Sequence, residues 1–135
     1  MELTQERLAR LALVVAAAML LLVGLRGLIT PRALLAPVGI RLVGVPALSE
    51  IRASVGGKNL GMAIFFLTAA AAPQLRVAGL VAVVAYMGGL TFGRLVSAVV
   101  DGVPDVLVAS FFLAEACAAT LALAALAVPA AKQTP

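Results

Sequence analysis

The feature that most constrains this chain is an unbroken apolar run, Leu11 to Leu25, which carries no charge and lies between Arg10 and Arg26. As a helix its 15 residues reach roughly 22 Å, slightly less than the hydrocarbon core of a bilayer. Arginines at both ends can snorkel to the headgroups, so a helix is predicted from about 8 to 28. The run is read as a retained helix. Residues 1–10 hold two acids against two arginines, and no A-x-A cleavage site follows.

The rest of the chain has the same character. Hydrophobic residues make up 64% and charged residues 12%. Soluble domains run near ~25% charged, and disorder needs low hydrophobicity with high charge. The chain therefore reads as an integral membrane protein, a single domain over residues 1–135.

Missing residue types narrow the chemistry. With no His, no imidazole can hold haem or zinc or relay protons. Cys117 is the only cysteine, which excludes an intrachain disulfide and a C-x-x-C pair. Trp is absent and Tyr86 is the only Tyr, so there is no stacking platform for bases. The net charge of +4 is spread along the chain without a basic cluster, as expected of arginines and lysines at helix ends. No nucleic-acid partner and no cofactor are implied.

Proline and glycine divide the remainder. Pro31, Pro37 and Pro46, with Gly39 and Gly44, break the stretch of about 30–46 too often for a span. Its many aliphatic residues predict an interfacial segment, or one folded against the bundle, with Arg32 and Arg41 at the headgroups. Further helices are predicted at about 47–72, 74–100 and 104–128, bounded by Pro46, Pro73, Gly102, Pro104 and Pro129, with Asp105 in the last helix's first turn and a frayed tail after it. Tight links make sequential helices antiparallel. The expected fold is all-α, an up-down four-helix membrane bundle.

That alternation has a consequence for the polar residues. They occupy the first half of the second helix, the second half of the third and the first half of the fourth. Glu50, Arg52, Lys58, Asn59, Arg94, Ser97, Asp101 and Glu115 would then share one leaflet, three carboxylates balancing three cations. A charge within a span costs about 2.5 to 3.5 kcal/mol, so these groups should face inward and pair as a network. Ideal helical phase places Glu50, Ser54, Gly57 and Gly61 on one stripe, and Tyr86, Gly93, Ser97 and Asp101 on another, with Arg94 at its margin. Arg52 and Asn59 fall opposite Glu50 and need a partner on the first helix or the Pro-rich segment. Gly57 to Gly61 and Gly89 to Gly93 are spaced for close helix approach. Asp101-Gly102 reads as a cap and turn, and Cys117 as a packing residue.

The run from Glu50-Ile51-Arg52 through Gly56-Gly57, then Gly93-Arg94, Asp101-Gly102-Val103-Pro104 and Glu115, resembles the small bacterial membrane family described as domain of unknown function 4345. The resemblance covers roughly residues 45 to 120. It implies a four-helix membrane protein, expected in the inner membrane, and no established activity. Val55 departs from the aromatic residue expected at its place.

Candidate ligand-binding residues are Glu50, Arg52, Lys58, Asn59, Tyr86, Arg94, Asp101 and Glu115. The first expectation is a pocket open to one leaflet that binds a lipid- or quinone-like amphiphile, its tail along Phe65, Phe66, Phe92 and Phe111. The alternatives are a structural subunit whose charges pack helices of a homo-oligomer or a partner membrane protein, and a small transporter acting as an oligomer. Enzymatic chemistry has least support, because no nucleophile–base pair or metal cluster is visible. Arg7, Arg10, Arg76 and Lys132 on one side face Arg26, Arg32 and Arg41 on the other, which favours cytoplasmic termini and an outward polar site.

Overall fold

The computed structural model describes residues 2–127, and among these every regular element is helical. Helix α1 spans Glu2–Ile29. A one-turn helix α2 (Pro31–Leu35) and a 3-10 turn (Ala36–Val38) follow. Helix α3 (Gly44–Ile51), a π-helical stretch (Arg52–Gly57) and α4 (Lys58–Ala71) then run on without interruption. A 3-10 turn at Pro73–Leu75 opens α5 (Arg76–Val100), and α6 covers Val106–Ala127. Among the described residues, three stretches are long and apolar enough to cross a membrane: Gln5–Ile29, Pro73–Val100 and Val106–Ala127.

The predicted boundaries shift for local reasons. Helix α1 starts ahead of position 8, and Glu6 and Arg10, one turn apart, pair at 2.7 Å. Helix α3 starts at Gly44 rather than 47. Gly44 adopts φ +76°, open to glycine, and Pro46 then falls in the first turn, where its missing N–H is harmless. The predicted start at 74 is a 3-10 turn, with α5 beginning at Arg76. The predicted start at 104 moves to 106 because Asp105 caps α6, its carboxylate accepting the Val108 N–H at 2.9 Å. Gly102 turns the chain with φ +105°, as its placement after α5 predicted. The expected last helical residue, Val128, the stop at Pro129 and the tail lie outside the described residues.

The core is built from small residues at helical spacing. Ala9, Ala12, Leu13, Ala16, Ala17 and Leu20 form one buried stripe of α1. Ala118, Ala122 and Ala125 form the matching stripe of α6, and Ala63, Phe66 and Ala69 that of α4. Gly79, Leu80, Val83 and Met87 supply α5. Small side chains let helix backbones approach, which multiplies weak dispersion contacts. α1 packs on α4 and the π stretch, α5 packs on α6, and α1 also touches α5 and α6.

The glycines in close contact are not the pairs that spacing singled out. Gly61, Gly89 and Gly93 border open space, and a Cβ on Gly57 would meet only the Arg52 carbonyl at 3.7 Å. The tight approaches are elsewhere. A Cβ on Gly27 would lie 2.9 Å from the Gly56 amide nitrogen, and one on Gly79 would lie 2.4 Å from the Ala69 Cβ. The Gly27–Gly56 contact is where α1 crosses the π stretch.

Hydrogen bonds tie helix ends together. Glu6 accepts from Arg76 at 3.1 Å, and Arg76 also donates to the Ala70 carbonyl at 3.1 Å, joining the start of α5 to α1 and the end of α4. Arg52 donates to the Leu28 carbonyl at 3.1 Å and satisfies one of the orphan carbonyls ending α1. The first helix is thus the partner of Arg52.

Candidate functional site

The inward stripes turn polar at one end of the core. On α6 the buried positions Ala125, Ala122 and Ala118 lead, three residues further back, to Glu115, which is 8% exposed. On α4 the buried Phe66 and Ala63 lead one turn back to Asn59, also buried. On α5 the buried Val83 is followed by Tyr86 and Met87 and then, a turn apart, by Leu90 and Arg94. The same 3.6-residue periodicity that builds the core therefore aims these polar side chains into a common space.

That space is a cavity of about 470 Å³. Its polar wall holds Ser54, Lys58, Asn59, Tyr86, Arg94 and Glu115. Its apolar wall comes from α1 (Met19, Leu20, Val23), from α5 (Met87, Leu90) and from α6 (Val108, Phe111, Ala114). The Pro-rich segment supplies Leu34, Leu35, Val38 and Ile40. The segment folds against the bundle through these four side chains. Gly39, at φ +78°, ends its 3-10 turn.

Arg94 and Glu115 form a bidentate pair: Nε donates to one carboxylate oxygen at 2.7 Å and a terminal nitrogen to the other at 2.9 Å. Two parallel charge-assisted bonds fix both side chains in orientation as well as charge. The guanidinium carbon also stands 5.5 Å from the centre of the Phe111 ring, an attractive cation–π geometry. Beside the pair, the Tyr86 hydroxyl donates to the Asn59 side-chain oxygen. The Asn59 amide in turn donates to the Val55 carbonyl at 2.8 Å. This bond holds Asn59 against the π stretch.

The π stretch explains why helical phase misassigned the second helix. A π-type turn adds one residue to the usual period, which slips everything beyond it by about 100°. Asn59, placed opposite Glu50 on an ideal helix, comes round to the cavity with Ser54, Val55 and Lys58. Glu50, Gly57 and Gly61 are exposed and off the cavity wall. On α5 the inward set is Tyr86, Leu90 and Arg94 rather than Tyr86, Gly93, Ser97 and Asp101.

Five of the eight candidate residues, Lys58, Asn59, Tyr86, Arg94 and Glu115, therefore converge on one cavity. The other three do not. Glu50 is exposed, Arg52 is bonded to α1, and Asp101 accepts from Ser97 at 2.9 Å at the end of α5. The expected charge network contracts to one ion pair, because no carboxylate other than Glu115 reaches a cation at this end of the described chain. The aromatic tail-binding wall also contracts: Phe111 lines the cavity, Phe66 is sealed in the core and Phe92 is 67% exposed. Sequence reasoning missed the aliphatic wall from α1 and the Pro-rich segment, whose apolar composition was the available signal. It also missed the tie from Arg76 to Glu6. Among the described residues, no three carboxylates or thiols converge as a metal site.

An all-helical chain with several bilayer-length apolar helices, enclosing a partly polar cavity at one end of its core, is the class these observations define. The profile of the family described as Domain of unknown function (DUF4345) matches residues 8–126, and the chain belongs to that family. The match extends well beyond the stretch around residues 45–120 that carried the resemblance. No curated protein and no solved structure matches the chain.

Proposed function

We propose that the protein is a four-span membrane binding module that takes a small amphiphile into the cavity between the helices. The stretch α3–π–α4 is the fourth span. Residues 44–71 form one helical rod of roughly 42 Å at the α-helical rise, long enough to cross even though its charged first half lowers its hydropathy. An up-down order is supported by the end contacts, Glu6 with Arg76 at one end and Leu28 with Arg52 at the other. Outward-facing aliphatic side chains such as Leu22, Val77 and Leu113, each more than 60% exposed, suit contact with lipid and not with water. With this order the cavity opens toward one leaflet, which is the outer one if the termini are cytoplasmic.

One observation carries the reading: five ionisable or amide side chains from three helices meet on a cavity whose remaining walls are mostly apolar. Ligand sites commonly take that form, apolar with a few convergent polar groups, at volumes of about 300–1,000 Å³. A structural role for the Arg94–Glu115 pair is compatible with it, since the pair also joins α5 to α6. Mass spectrometry of small molecules released from the purified protein tests the reading. The wild type should carry an amphiphile that Ala114→Trp, which fills the cavity from an exposed wall position, loses without loss of helix content. Equal yields from the two proteins refute it.

A further inference from the structure

The polar groups of the cavity are unequal in what they leave available. Arg94 and Glu115 neutralise each other, and the Tyr86 hydroxyl is committed to Asn59. Lys58 lines the same cavity, is itself exposed, and makes no hydrogen bond or ion pair with any described residue. The wall therefore holds two cations against one carboxylate, an excess of one positive charge, and the free charge is the lysine. The spare hydrogen-bonding capacity is mostly donating. Its donors are the ammonium of Lys58, the guanidinium N–H groups that Glu115 does not use and the second amide hydrogen of Asn59, while the Ser54 hydroxyl can donate or accept.

Size restricts the occupant further. At roughly 30 Å³ per water-sized unit, a cavity of 470 Å³ holds about 16 heavy atoms. That accommodates a small head and one chain of about a dozen carbons. A second chain would have to lie outside the cavity. We propose that the cavity takes a single-chain amphiphile with an anionic, acceptor-only head, a carboxylate or a phosphate monoester, seated on Lys58. This inference rests on the cavity being a binding site and adds the charge and chain number of what it binds. A neutral quinone-type head would leave the lysine without a counter-ion, and a cationic head would meet like charge.

The test uses full-length protein in phosphatidylcholine nanodiscs and three probes with the same tail: dodecanoate, dodecyl phosphate and methyl dodecanoate. Both anions should bind one per chain and more tightly than the ester. Lys58→Gln should weaken them about ten-fold or more, and Lys58→Arg should retain them. The tighter of the two anions identifies the head. If the ester binds as tightly as dodecanoate, and Lys58→Gln changes neither, the anionic head is wrong while the cavity reading stands. If no probe binds the wild type better than it binds Ala114→Trp, both readings fall.

Discussion

The Arg94–Glu115 pair permits a quantitative test by double-mutant cycle. Glu115→Gln leaves the guanidinium without its carboxylate, and Arg94→Gln leaves a carboxylate that is 8% exposed without its cation. Removing one partner of a buried ion pair costs roughly 3–5 kcal/mol. The side chain of Arg94 keeps 29% of its surface open, and it retains the Phe111 ring at 5.5 Å. Each single substitution should therefore lie at the lower bound, about 3 kcal/mol. The double variant replaces the pair with two neutral amides that can bond to each other, and should be no less stable than either single variant. The coupling energy then comes out near 3 kcal/mol, the upper end for side chains in contact. Titration from mild detergent into dodecyl sulfate, followed by circular dichroism for all four proteins, measures it. Additive losses, with coupling under about 0.5 kcal/mol, would refute the view that the two charges are held as a unit.

Four further outcomes are expected. Gly79→Ala should destabilise by about 1–3 kcal/mol through overpacking against Ala69 and Leu13. Gly61→Ala and Gly89→Ala, into open space, should be neutral or stabilising by up to about 1 kcal/mol; the same dodecyl sulfate titration ranks them. Asp105→Ala removes the cap of α6 and should cost about 1 kcal/mol, seen as faster amide exchange confined to the first turn of that helix. Val103→Cys in a Cys117→Ser background should react with an impermeant maleimide added to intact cells, because the turn between α5 and α6 lies on the outer face when the termini are cytoplasmic; labelling only after lysis reverses the orientation.

Local signals in the chain carried much of the architecture. Apolar run length and the proline and glycine punctuation placed each long helix to within a few residues, save the N-terminal start of α1. Those signals are local, since a helix needs only its own hydrogen bonds and an apolar surface. The small-residue stripe from Ala9 to Ala17 and the one ending at Ala125 were also present in the order of residues. What helical periodicity could not supply was the phase beyond Arg52. The π stretch is set where Gly27 and Gly56 bring two backbones together, a contact between residues far apart in the chain.

Composition and order by themselves determined that this chain is helical and that several of its helices are long and apolar enough to cross a membrane. Only the tertiary structure decided which of its ionisable groups meet. Glu115 takes Arg94 and leaves Lys58 free, while Arg52 turns to the end of α1. Pairing among charges depends on distances of a few ångströms between separate helices, and a one-residue slip in one helix rotates every side chain beyond it to a different neighbour.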